Sequence, residues 1–174
     1  ADNSPLTQAD LAAHLCIVRM LQELDSEIPI LSEESASIDW SVRKHWAKYW
    51  LVDPLDGTRE FVKKNGEFTV NIALIENGEP VLGVVYAPVI DWLLVGGRDI
   101  GAYWQIEKKS GVAKISQASM PLKVAASRSH RDEKTQAYLD KIGAFNTVAL
   151  GSSLKFCKIA TGEIDLYPRF GLTS

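Results

Sequence analysis

Apolar residues recur at 11, 15, 18, 21 and 24, close to one face of an α-helix over residues 7–24. Thr7 and Asp10 fit an N-terminal cap followed by an acid in the first turn. The segment 28–34, Ile-Pro-Ile-Leu-Ser-Glu-Glu, predicts a short buried strand running into acids. A polar segment with tryptophans at 40, 46 and 50 follows, and then a buried strand over 49–52. From 68 to 75 apolar and polar residues alternate. The turn sequence Glu76-Asn77-Gly78-Glu79 and the run 81–86 then make a hairpin. Two further antiparallel strands, 91–95 and 102–106, are separated by glycines. This half therefore reads as a helix plus a mostly antiparallel sheet.

Between 108 and 122 the chain turns polar, with Gly111 and Pro121, and a division into 1–107 and 108–174 is expected there. Beyond it the pattern alternates: strand 123–127, helix 132–142 stopped by Gly143, strand 147–150, helix 153–161 stopped by Gly162, strand 164–167. Alternation of this kind predicts an α/β layer.

Composition adds limits. The 174 residues are 46% hydrophobic and 24% charged, with a net charge of −3, values of an ordinary globular protein. No basic field suggests nucleic acid or a membrane surface as partner, so an anionic ligand would need local cations or bound metal. Cys16 and Cys157 lie far apart within apolar helical patterns and read as buried free thiols, which favours a reducing compartment. No apolar run approaches the ~18 residues of a membrane span, and no signal-peptide pattern opens the chain. The default location is cytoplasmic.

The stretch that breaks ordinary patterning is Asp53-Pro54-Leu55-Asp56-Gly57-Thr58. Two carboxylates so close repel unless a cation sits between them. Pro54 restricts the chain and Gly57 frees it, so both carboxylates and the Leu55 carbonyl can face one point. Those oxygens suit a hard divalent ion such as Mg2+. Glu33 and Glu34 end another buried strand in the same way, and parallel strand ends would bring them to the same place. Turn formation and helix capping by Asp53 and Asp56 are the competing reading.

Asp-Pro-Leu-Asp-Gly-Thr after an apolar strand, with Ser-Glu-Glu-Ser at 32–35 upstream, resembles the signature of the inositol-monophosphatase-like superfamily of Mg2+-dependent, lithium-sensitive phosphatases. DPLDGTREF, GEFTVNIALI, GVVYAPV, GSSLKFC and LYPRFG resemble more specifically its bacterial 3'(2'),5'-bisphosphate nucleotidases of the CysQ type. The resemblance implies a layered αβαβα sandwich, cleavage of the 3'-phosphate of adenosine 3',5'-bisphosphate, and two or three Mg2+ ions. A soluble protein in the cytoplasm, or one associated peripherally with the inner membrane, is implied too.

Carried over by position, the resemblance makes Glu33, Asp53, Asp56 and the Leu55 carbonyl metal ligands. Thr58 orients the attacking water, and Asp10 polarises Thr58. Gly57, His130, Ser152, Lys155 and Arg169 fall on the substrate side, the last two at the uncleaved 5'-phosphate. A helix start at Gly-Ser-Ser offers free N–H groups to an anion. The bland readings are a capping acid for Asp10, a loop residue for His130 and solvated surface charges for Lys155 and Arg169. An inositol or sugar-phosphate phosphatase, and a non-catalytic metal- or nucleotide-binding form, remain as rivals. Relatives of this kind begin with a further helix and continue past the position of Ser174 into a Trp-Asp pair that completes the metal site. Exposed sheet edges and apolar surface are therefore expected.

Overall fold

The computed structural model describes residues 7–35, 37–118, 120–126 and 133–170. Its first helix, α1, spans Gln8–Leu24. Thr7 caps it, accepting from the Ala9 and Asp10 N–H groups, while the Asp10 carboxylate accepts from the Thr7 backbone. The inward face of α1 is not the stripe expected from the sequence. Leu11, Leu15 and Leu24 are exposed, whereas Asp10 and Leu21 are buried and Ile17 packs beside Leu21. The helix has apolar residues on more than one side. Anchoring at Asp10 turns the 10–14–17–21 face toward the sheet. Cys16 is exposed in consequence, a correction to the expectation of a buried thiol; Cys157 is buried.

Seven strands form one sheet in chain order: β1 (Ile30–Ser32), β2 (Lys48–Asp56), β3 (Thr69–Glu76), β4 (Glu79–Ala87), β5 (Trp92–Gly97), β6 (Gly101–Ile106) and β7 (Lys109–Val112). Only β1 runs parallel to its neighbour; the other pairs are antiparallel. The β3–β4 hairpin closes through Asn77 and Gly78, both at positive φ, as a two-residue turn that matches strand twist requires. Two short helices fall where periodicity gave no signal: α2 (Trp40–Arg43), capped by Asp39, and α3 (Thr58–Val62), which starts at Gly57. The sheet continues through β7 to Val112, past the division expected at 107.

Beyond it, β8 (Leu122–Ala126) pairs in parallel with β9 (Phe145–Ala149), and helices α4 (Glu133–Leu139) and α5 (Leu154–Ala160) follow the expected alternation. The strand expected at 164–167 is reduced to a single parallel bridge between Leu166 and Val124. Asp165 is the reason: its carboxylate takes the Lys123 N–H and its own N–H bonds the Lys123 carbonyl, which uses up the ladder after one step.

Two apolar clusters fix the layers. On one face of the large sheet, Trp50 and Val52 pack with Leu21 of α1. On the other, Trp92, Leu94 and Ala87 pack with Leu154 and Cys157 of α5. The sheet thus lies between α1 and α5, and residues that alternate along β2 look in turn at each helix. No helix among the described residues is long and apolar enough to cross a membrane.

Candidate active site

Asp53 and Asp56 are three residues apart, and in a regular strand three steps put side chains on opposite faces. The register between β2 and β3 removes that problem. Asp53 stands opposite Asn71, and Asp56 stands opposite Thr69, so three steps on β2 match two on β3. This is a β-bulge between Asp53 and Asp56, a stretch that holds Pro54, which cannot donate a ladder bond. The extra residue brings both aspartates to the face shared by Asn71 and Thr69. The strand expected over 49–52 is longer in the structure: β2 runs from Lys48 on through Pro54 to Asp56, so the competing reading of a turn at the two aspartates does not hold.

Glu33 reaches the same end of the sheet. Parallel pairing sets Ser32 beside Val52, and the Glu33 N–H donates to the Val52 carbonyl at 3.0 Å, which puts Glu33 next in register with Asp53. Its side chain is exposed, and Glu34 beside it is half-buried. Burial pushes the Asp53 carboxyl up to about 7, and the neighbouring charges of Asp56 and Glu33 push it the same way. Bonds from the Leu55 N–H at 3.1 Å and the Asn71 amide at 3.5 Å oppose the shift without cancelling it. Glu34 is also raised, by burial and then by Asp10 and Glu33.

Among the described residues no three His, Cys, Asp or Glu side chains stand close enough to enclose an ion. The donor set nevertheless fits a hard divalent cation. It consists of carboxylate and carbonyl oxygens, it is short of positive charge, and Asp53 already resists ionisation there.

A stability consequence follows, with its sign fixed by the direction of the shift. The folded carboxyl lies above its ordinary value, so its favourable contribution is full below the ordinary carboxylate range and is lost as pH rises through about 7. The melting temperature of the metal-free protein is expected to fall between pH 5 and pH 8, and to fall less in Asp53→Asn. A wild-type curve that matches the variant at every pH would remove the proposed repulsion.

Thr58 opens α3 beneath the bulge. Its hydroxyl lies 3.4 Å from Asp10 Oδ1 and 3.3 Å from the Leu55 carbonyl, and Asp10 is 2% exposed. Both neighbours accept, so the single hydroxyl proton is directed at them and the Thr58 oxygen keeps its lone pairs for a third group. Asp10 is held in turn by Thr7, through its backbone N–H and its hydroxyl. Capping acid and Thr58 partner are therefore one and the same Asp10.

The loop leading into α5 closes the site from the second half. Gly57 has φ +92°, and a Cβ there would come within 3.1 Å of both the Ser152 Cβ and the Glu67 carbonyl. At Gly151 a Cβ would sit 2.7 Å from Glu60 Cγ, and the Gly151 N–H donates to Glu67 Oε2 at 2.7 Å. Two glycines thus let the two halves touch. Ser152 takes φ +44°, and its hydroxyl accepts from the Leu154 N–H at 3.3 Å.

Lys155 is buried, with Nζ donating to the Ser152 carbonyl at 2.6 Å and to the Leu150 carbonyl at 3.4 Å, and lying 5.3 Å from the Tyr167 ring. Burial lowers its pKa first, Asp56 opposes this, and Arg169 adds to it. Lys155 is therefore no solvated surface charge. Arg169 is half-buried, near enough for its charge to act on Lys155. His130 lies outside the described residues.

Sequence reasoning missed Ser153, Thr69, Asn71 and Glu67. Ser153 bonds Thr69 and Asn71 at 2.8 Å each. A signal was present: 67, 69 and 71 are polar at period two beside an apolar strand, which marks a polar patch on one face. Beside the carboxylates a cavity of about 480 Å³ runs along the same sheet face, floored by Ala73 and Gly83, with Glu33 and Asp53 as its charged residues.

Known proteins resemble this chain in sequence and in fold. The model of the inositol monophosphatase family matches residues 1–174. The 3'(2'),5'-bisphosphate nucleotidase CysQ of Salmonella typhimurium is 54% identical over 176 residues, which is 99% of this chain and 69% of that protein. The crystal structure of CysQ from Bacteroides thetaiotaomicron, a bacterial member of the same family, superimposes with a TM-score of 0.85 at 42% identity, covering 98% of this chain and 69% of that one. An IMPase/NADP phosphatase solved with Mg2+ and phosphate shares the fold at TM-score 0.74 and 19% identity, covering 91% of this chain and 59% of that one.

Proposed function

The chain belongs to the inositol monophosphatase family and has its layered α/β fold, and we propose that it hydrolyses the 3'-phosphate of adenosine 3',5'-bisphosphate to AMP and phosphate with magnesium as cofactor. The observation that carries the reading is the bulge in β2. It sets Asp53 and Asp56 on one face next to Glu33, with Lys155 close enough for Asp56 to act on it electrostatically. Such a cluster has little structural use of its own, because its charges oppose one another.

In this reading Glu33, Asp53, Asp56 and the Leu55 carbonyl hold the metal. When bound, magnesium supplies Lewis-acid activation of water and neutralises charge on the phosphoryl oxygens. Thr58, whose proton is directed at Asp10 and the Leu55 carbonyl, accepts a hydrogen bond from the attacking water and orients it. Asp10 keeps Thr58 in that state, and its burial keeps bulk water from competing. Lys155 and Arg169 receive the 5'-phosphate as fixed cations. Gly57 leaves room where a side chain would intrude, and Ser152 and His130 complete the nucleotide contacts. No side chain is needed as a covalent nucleophile.

Chromatographic separation of the products tests the proposal. AMP and inorganic phosphate are expected, with inositol 1-phosphate turned over much more slowly. Formation of adenosine 3'-monophosphate, or faster hydrolysis of the inositol phosphate, would overturn it.

A further inference from the structure

Ser153 sits at the start of α5, on the second half of the chain, yet its hydroxyl bonds two residues of β3. Those two, Thr69 and Asn71, are the cross-strand partners of Asp56 and Asp53. Thr69 Oγ1 lies 3.4 Å from Asp56 Oδ2, and Asn71 Nδ2 lies 3.5 Å from Asp53 Oδ2. One hydroxyl therefore links both aspartates, each through a single intermediary. Thr69 is fully buried and Ser153 is 9% exposed, so water is a poor substitute for either.

Proton counting gives the chain a direction. Asn71 turns its NH2 toward Asp53, which leaves its carbonyl oxygen for Ser153, and a carbonyl can only accept. Ser153 must then donate to Asn71, which leaves the single Thr69 proton to be shared between the Ser153 oxygen at 2.8 Å and Asp56 Oδ2 at 3.4 Å. Two hydroxyl protons serve three contacts, and the contact from Thr69 to Asp56 is the one left long. The two inner bonds are short and the two outer ones are long. The inner segment is a fixed frame, and the aspartates hang from its ends.

The same residue stands two positions before Lys155, in the turn that carries it. We infer that Ser153 is a positioning residue that holds Asp53 and Asp56 in register for the metal and fixes the start of α5, tying the metal half of the site to the Lys155 half. The inference rests on the proposed function only for the role of the two aspartates. Partners of metal ligands typically matter about 10–100-fold in metal affinity or activity.

The test reads Mn2+ as a stand-in for Mg2+, by the loss of its free electron paramagnetic resonance signal, with no nucleotide present. Failure of the nucleotide reading would therefore leave the test intact. Ser153→Ala and Thr69→Val are each expected to weaken Mn2+ binding by about tenfold, and the double variant no further, because both cut one chain. A Ser153 that served folding alone would lower the melting temperature and leave Mn2+ affinity unchanged. Wild-type affinity in either single variant, or additive losses in the double, overturns the inference. If Ser153→Ala fails to fold, Thr69→Val decides it from the other end of the same bond.

Discussion

Asp53→Asn is expected to lower kcat by about three orders of magnitude, on the order of 4 kcal/mol of lost transition-state stabilisation from a weakened metal site. The substitution is nearly isosteric and keeps an acceptor for the Leu55 N–H, so the bulge persists. What it removes is a charge. Burial, Asp56 and Glu33 all oppose that charge in the metal-free protein, which should therefore melt no lower, and above pH 7 higher, than wild type. Loss of activity together with a gain in metal-free stability is the signature of a residue kept for function. Kinetics and a melting curve on the same preparation check it, and unchanged turnover would remove Asp53 from the machinery.

Lys155→Ala has the second largest expected effect, on KM rather than on kcat. A charge-assisted bond to phosphate is worth roughly 1.5–3 kcal/mol, which corresponds to about a 10–100-fold rise in KM for adenosine 3',5'-bisphosphate. For adenosine 3'-monophosphate, which lacks the 5' group, KM should change little. The reason is local. In the structure the ammonium is buried, rests on the Ser152 and Leu150 carbonyls, and is lowered in pKa by burial and by Arg169. An anion arriving there meets two neighbouring cations, Lys155 and Arg169, whose charges oppose each other. Equal rises in KM for the two substrates would assign Lys155 to the fold instead.

How much of this was legible in the sequence depended on the period of the pattern. The β3–β4 hairpin, α1, α5 and the β8–α4–β9 alternation announced themselves through regular spacing and through Asn-Gly or Gly punctuation. The inward face of α1 did not, because Leu11, Leu15 and Leu24 are as apolar as the residues it buries; an acid, Asp10, decided the orientation. The strand expected at 164–167 stopped at one bridge because Asp165 spends its groups on Lys123. Candidate ligands were readable as a run of carboxylates, and the parallel approach of the Glu33 and Asp53 segments was readable from two strands ending in acids. The means of aligning Asp53 with Asp56 was not. A bulge is a property of two strands in register, and only Pro54 hinted at it. Ser153 was missed for a related reason: its partners lie 84 and 82 residues away, beyond any local pattern.

The most direct test of the whole account is phosphate release from adenosine 3',5'-bisphosphate by this chain with and without Mg2+, with Asp53→Asn run beside it. Release that needs Mg2+, is inhibited by lithium and is absent from the variant is the expected result. Release that ignores Mg2+, or that the variant matches, would contradict the claim that the carboxylates aligned by the β2 bulge form the catalytic centre.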